Sequence, residues 1–212
     1  MDIRFISNNK YKIDEAASIL NASGVNVIPV NMKIEELQTD DVQHLVQDKA
    51  LKAFKAIGRP LFVEHTGLFI DKINQLPGGL TQVFWDKLEA DKFSKLFGDQ
   101  IGESKAKAVT TIGYIDGAKI YIFTGEISGS ILDSPRGNRN FQWDCVFVPD
   151  GETQTFAEMG DRKNEISMRK IALEKFTTFI KSRSTNHHEC HRRFEKRNPP
   201  KEGNSLCRSW RI

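Results

Sequence analysis

The feature that most constrains this chain is a change of period along it. Up to Gly58, two short strand patterns alternate with two helical ones. From Leu61 to Val148 strand signals dominate, and one helix closes the patterned region. DIRFI, residues 2–6, alternates as a half-buried strand does. After the turn residues Ser7-Asn8-Asn9, apolar residues fall at Ile13, Ala16, Ala17 and Leu20, a helical spacing that stops at Asn21 to Gly24. Val25 to Val30 reads as a second strand. Asp40-Asp41 opens a second helix, which carries Val42, Leu45, Val46, Leu51, Ala53 and Phe54 and ends at Gly58. Leu61-Phe62-Val63 reads as a short buried strand, Pro77-Gly78-Gly79 as a turn, and the segment to Phe97 as a helix. Residues 105–115 and 118–124 form an expected hairpin across Asp116-Gly117. Further strands are expected near 127–132 and over Cys145–Val148, and a last helix over Lys163–Ile180. No repeats occur. The order implies an α/β fold with a mixed sheet and flanking helices.

The 212 residues suffice for one domain with an appendage. Hydrophobic residues make up 39%, which excludes wholesale disorder. No apolar run reaches the ~20 residues of a membrane span. Three scattered cysteines make no disulfide framework, so a soluble, reduced, cytoplasmic protein is expected. The net charge of +3 is uneven. Residues 181–212 hold nine Lys/Arg against three acids, +6, which leaves 1–180 at −3. The expected organisation is a domain over 1–180 and a basic, disordered tail over 181–212. The basicity belongs to the tail, and its aromatics are too sparse for a nucleic-acid platform. His187-His188-Glu189-Cys190-His191 lacks the paired spacing of structural zinc sites.

Five stretches carry chemistry. Ser7 to Glu15 joins a strand to a helix start, which suits phosphate, with Lys12 in reach and Glu15 placed to orient it. Glu35-Glu36 can hold a hard cation beside phosphates. Glu64-His65, followed by Thr66-Gly67, places an acid and an imidazole at the end of a buried strand, where ligands bind in open α/β sheets. Phe141, Trp143 and Asp144 suit a flat base: rings stack and a carboxylate accepts ring N–H groups. Lys163 and Arg169 stand at the start of the last helix.

In this order and spacing the blocks resemble the inosine triphosphate pyrophosphatases, over roughly residues 1–180. Leu76-Pro77-Gly78, Pro149-Asp150-Gly151, Thr155 to Glu158 and Ser167 extend the match. The resemblance implies an elongated α/β protein with a nucleotide cleft between two lobes, commonly a homodimer. The reaction it implies is Mg²⁺-dependent conversion of ITP, dITP or XTP to monophosphate and pyrophosphate. It also implies roles. Ser7, Asn9, Lys12 and Lys163 hold phosphates; Phe141, Trp143, Asp144 and Arg169 hold the base. Lys163 and Arg169 can each reach phosphate or the 6-oxo group. Glu36 (or Glu35) with Glu64 holds the metal, and Glu64 with His65 does the catalysis. His65 replaces the family's second acid, and Met168 replaces a histidine. Gln142 stands in place of glycine and Cys145 in place of proline. The first two replacements imply weak or lost hydrolysis and a nucleotide sensor that signals to an effector partner, for example in antiviral defence. The alternative is an active pyrophosphatase.

Overall fold

A computed structural model of the chain describes residues 2–117 and 119–197, with side chains to Arg183. The chain divides into two units, Met1–Thr177 and Thr178–Ile212.

The first unit is built on a seven-stranded mixed sheet. The strands are β1 (Asp2–Ile6), β2 (Asn26–Val30), β3 (Leu61–Ile70), β4 (Pro77–Gly78), β5 (Lys105–Ile115), β6 (Ile120–Ile131) and β7 (Phe147–Pro149). Their order is β2-β1-β3-β5-β6-β7, with β4 paired to β3. Among these strands, the β1–β2 and β1–β3 pairings are parallel and the others antiparallel. The helices are α1 (Lys10–Asn21), α2 (Val42–Ile57), α3 (Thr81–Phe97), α4 (Phe156–Met159), α5 (Lys163–Ile166) and α6 (Met168–Arg197). Local chemistry sets the first helix ends. The Asn9 side chain accepts from the Lys12 N–H at the start of α1. Asp41 does the same for His44 in α2, and Gly58 closes α2 with φ 66°.

Apolar faces meet on the sheet. Phe5 stacks on Phe62 with ring centroids 4.4 Å apart, and Phe176 of α6 lies 5.1 Å from Phe62. α6 can approach β6 because Gly125 has no side chain: a Cβ there would lie 2.1 Å from the Met168 carbonyl oxygen. A second cluster gathers Leu68, Phe93, Trp143, Phe147, Phe156 and Met168.

Several elements differ from the sequence pattern. β3 runs to Ile70, so Glu64-His65 lies within the strand rather than at its end. The pair nonetheless sits just past the last β1 partner, Phe5↔Phe62, at the carboxyl edge of the parallel strands. Gly67 makes no turn; a Cβ there would meet the Gly78 carbonyl oxygen of β4 at 2.5 Å. β6 is one strand through Ile131. The last helix breaks at Ser167, which is extended, into α5 and α6. α6 continues past Ile180 to Arg197: no Gly or Pro interrupts 181–197, and Lys, Arg and Glu favour helix without an apolar stripe. The disorder expected for 198–212 and the side chains of His187 to His191 lie outside the described residues. Among the described residues, no helix is long and apolar enough to cross a membrane.

Candidate active site

Strand β3 organises the site through its alternation. Successive side chains point to opposite faces, so Glu64 and Thr66 turn toward α1 and α6, and His65 toward α2 and the loop before it. On the first face the Arg169 guanidinium grips Glu64 through Nε–Oε2 at 2.8 Å and Nη2–Oε1 at 3.0 Å. Lys12 Nζ adds a contact of 3.2 Å to Oε1, as does the Thr66 hydroxyl. Burial alone would raise the Glu64 carboxyl, but Arg169 and Lys12 hold it well below the usual carboxylate range. Glu15 does not orient Lys12 as expected. It pairs with Lys163 at 3.0 Å and with Arg169 Nη1.

On the other face, Lys49 Nζ lies 2.5 Å from Glu36 Oε1, and His65 Nδ1 lies 3.7 Å from Glu36 Oε2. Burial would raise Glu36, but Lys49 holds it low. Burial, then the nearby Lys12 charge, pushes His65 down to about 4. Its Nε2 is buried and has no hydrogen-bond partner. These residues line a cavity of ≈ 310 Å³ with Ser7, Asn8 and Asn9. The cavity brings together the expected Ser7, Asn9, Lys12, Glu36, Glu64 and His65.

A second cavity of ≈ 480 Å³ is lined by Tyr11, Glu15, Phe141, Asp144, Lys163 and Asn164, with Asn138 and Asn140 at its rim. The Tyr11 and Phe141 rings lie 5.1 Å apart, and Lys163 Nζ stands 4.3 Å from the Phe141 centroid. Lys163 also meets Asp144 at 2.6 Å. Burial raises the Asp144 carboxyl against the pull of Lys163. Phe141 and Asp144 therefore face one cavity.

Four expectations are corrected. Trp143 is no stacking partner: it is 2% exposed, in the core against Phe147 and Phe156. Lys163 lines the aromatic cavity, not the one holding Ser7, Asn9 and Lys12. Arg169, 1% exposed, commits Nε, Nη1 and Nη2 to Glu64 and Glu15 and is a buried clamp of α6 on β3 and α1. Glu64 is a poor metal ligand because its oxygens already accept from Arg169, Lys12 and Thr66. Met168 likewise is buried in the core cluster and lines neither cavity.

The implied Mg²⁺ can be tested against these donors. Mg²⁺ takes one or two carboxylates and completes its shell with water and substrate phosphate. Glu36 fits: it lines the same cavity as Lys12 and Lys49, its Oε1 meets Lys49, and its Oε2 lies 3.7 Å from His65 Nδ1. Residues outside the motif blocks that line the site are Lys49 and Gln82, while Tyr11 and Asn164 stand inside the blocks without an expected role. Lys49 had a signal: Val42, Val46, Lys49 and Ala53 fall on one helical stripe, and a charge in an inward register marks a buried partner.

Burial of His65 has a consequence for stability. An imidazole held near 4 when folded and near 6.5 when unfolded makes the unfolded state bind more protons between those values. Stability is full above pH 6.5 and falls as pH drops toward 4. The slope is on the order of 1 kcal/mol per pH unit. Denaturant titrations of the metal-free protein from pH 7.5 to 4.5 should show this decline, and His65→Gln should flatten it. Parallel curves for the two proteins would contradict the placement of His65.

Comparison with known proteins agrees with the motif order. Residues 3–179 match the Ham1 family. The chain is 35% identical over 184 residues to the dITP/XTP pyrophosphatase of Methanopyrus kandleri, covering 86% of this chain and 97% of that protein. It is 36% identical over 187 residues to the inosine triphosphate pyrophosphatase of Kluyveromyces lactis, covering 84% and 95%. The solved HAM1 protein of Coxiella burnetii superposes with a TM-score of 0.72 at 26% identity, over 86% of this chain and 99% of that one. A mixed sheet with this paired set of cavities, matched over residues 3–179 by the family and over 86% of the chain by such relatives, places the chain in the Ham1 family.

Proposed function

We propose that this chain is an active pyrophosphatase that converts ITP, dITP and XTP to the monophosphate and pyrophosphate. The observation that carries the reading is the place of His65, which lines the phosphate-side cavity with Asn9, Lys12 and Glu36. Burial pushes its imidazole down, so it is unprotonated at neutral pH and can take a proton there. The replacement thus keeps a proton acceptor in the phosphate-side cavity. The case for a binding-only sensor rested on His65 and Met168. The first is a usable base, and the second lies in the core, so neither supports lost hydrolysis. The names of the relatives from Methanopyrus kandleri and Kluyveromyces lactis support the enzymatic reading.

The chemistry follows from the arrangement. Lys12, Asn9 and Ser7 bind the triphosphate. Mg²⁺, held by Glu36 together with phosphate oxygens, would supply neutralisation of their charge. His65 takes the proton of a water whose oxygen bonds to the α-phosphorus; the bond from that phosphorus to the β-bridging oxygen breaks, and pyrophosphate leaves. In the other cavity the base lies on Phe141. Lys163 donates to a 6-oxo group, which hypoxanthine and xanthine have and adenine lacks. The test is release of pyrophosphate and monophosphate from ITP, dITP, XTP and ATP with Mg²⁺. We expect kcat/KM for ITP to exceed that for ATP by at least ~100-fold. Phe141→Ala should raise KM on the order of tenfold or more, the worth of a stacked base. Equal turnover of ATP and ITP, or no pyrophosphate from any of them, would sink the proposal.

A further inference from the structure

A hydrogen-bonded relay from α3 reaches the phosphate-side cavity and ends there on the Gln142 amide. Asp86 and Gln82 lie one turn apart on α3, and Gln82 Nε2 donates to Asp86 Oδ1 at 2.6 Å. Gln82 Oε1 accepts from Gln142 Nε2. The polarity of the chain is fixed from its acidic end. A carboxylate only accepts, so Gln82 must turn its amide nitrogen to Asp86 and its oxygen to Gln142. Gln142 then spends one N–H on Gln82, which leaves its Oε1 as the acceptor on offer, beside its second N–H. Gln142 also holds a left-handed backbone, φ 42°, a conformation disfavoured for a residue with a Cβ. A side chain kept there against that cost, and steered by a relay, points to a ligand.

The position says which part of the ligand it meets. Phe141 lines the aromatic cavity, and Gln142, the next residue, lines the phosphate-side cavity. In a nucleoside triphosphate, the group between base and phosphates is the sugar. An acceptor oxygen is repelled by phosphate oxygens and gains from an O–H donor, and at this point of a nucleotide the donors are the sugar hydroxyls. We propose that Gln142, oriented by Gln82 and Asp86, accepts a hydrogen bond from a sugar hydroxyl and so sets the preference between ribo- and deoxyribonucleotides. This rests on the nucleotide reading of the cleft given above. Gln142 contacts the sugar; Gln82 and Asp86 are positioning residues.

Calorimetric titration with ITP, 2′-deoxy-ITP and 2′,3′-dideoxy-ITP tests it and tells the two hydroxyls apart. In the unmodified protein, loss of the recognised hydroxyl should weaken binding roughly 5–30-fold, the cost of leaving an acceptor unpaired. In Gln142→Gly, which also relieves the backbone, that step should shrink to less than about twofold. Asp86→Asn, which touches no ligand, lets the relay reverse and should shrink the same step while affinity for the dideoxynucleotide stays unchanged. The proposal is overturned if neither hydroxyl matters in the unmodified protein, or if the full step survives in Gln142→Gly. Binding without pyrophosphate release would end the pyrophosphatase reading and leave this result standing. Absence of binding by all three nucleotides would end both.

Discussion

His65→Gln should lower kcat for pyrophosphate release from ITP by about 10²–10⁴-fold, the usual worth of a positioned general base, with KM changed only a few-fold. The glutamine keeps a polar side chain of similar reach beside Glu36 but cannot take a proton at neutral pH. The phosphate contacts of Asn9 and Lys12 and the base contacts of Phe141 are untouched, so the loss belongs in kcat. His65→Asp is the informative partner. A carboxylate of ordinary basicity replaces an imidazole held at about 4, so turnover should stay within about tenfold of the unmodified protein. A loss under tenfold in His65→Gln would place the base elsewhere. Glu64 would be a poor choice, since Arg169 and Lys12 both stabilise its ionised form. If His65→Asp instead raises turnover well beyond tenfold, the imidazole is a handicap and the binding-only reading regains its support.

Local signals read from the sequence agree with the elements they predict wherever one residue decides the geometry. Asp41 and Gly58 bound α2 because one side chain satisfies an amide and the other takes a positive φ. The strands over 2–6 and 105–115 form with the bounds expected. The misjudged boundaries lie where tertiary pairing decides. β3 carries Glu64, His65, Thr66 and Gly67 onward because β5 pairs with it through Ile70, and polar residues within a strand give no local warning of that. β6 passes through Gly125, which reads locally as a break but exists to admit α6.

The site shows the same division. Spacing brought Ser7, Asn9, Lys12, Glu36, Glu64 and His65 to one cavity and Phe141 and Asp144 to another. It did not fix which cation meets which acid. Lys12 and Glu15 look like partners three residues apart on α1, yet Glu15 is taken by Lys163 and Arg169 from more than a hundred residues away. Buried ions choose the partners that desolvate together, and sequence separation does not record that choice. Trp143 shows the converse: an aromatic beside Phe141 in sequence turns into the core because the short turn at Gln142–Cys145 directs successive side chains apart.

Arg169→Met should destabilise the protein by about 3–5 kcal/mol, the usual cost of removing one partner from a buried ionic network. For a domain of this size that lowers Tm by roughly 10 °C or more. Arg169 is the common partner of Glu64 and Glu15, and its side chain and that of Glu64 are each 1% exposed. Methionine fills much of the volume, so the loss reports two carboxylates stranded out of water rather than a void. Lys12 and Lys163 remain beside them but already serve as their second cations. Adding Glu64→Gln to Arg169→Met removes one stranded charge, so the double variant should be more stable than the two separate losses predict when summed. Thermal melts of the four proteins at pH 7 give the answer. Full additivity, or a loss below about 1 kcal/mol for Arg169→Met, would mean that the clamp is a solvated ion pair and that α1, β3 and α6 are not tied together through it. If the expected loss is seen, the low carboxyl of Glu64 should also rise toward the usual range in Arg169→Met. With its folded value back near the unfolded one, Glu64 would then contribute little to the pH dependence of that variant.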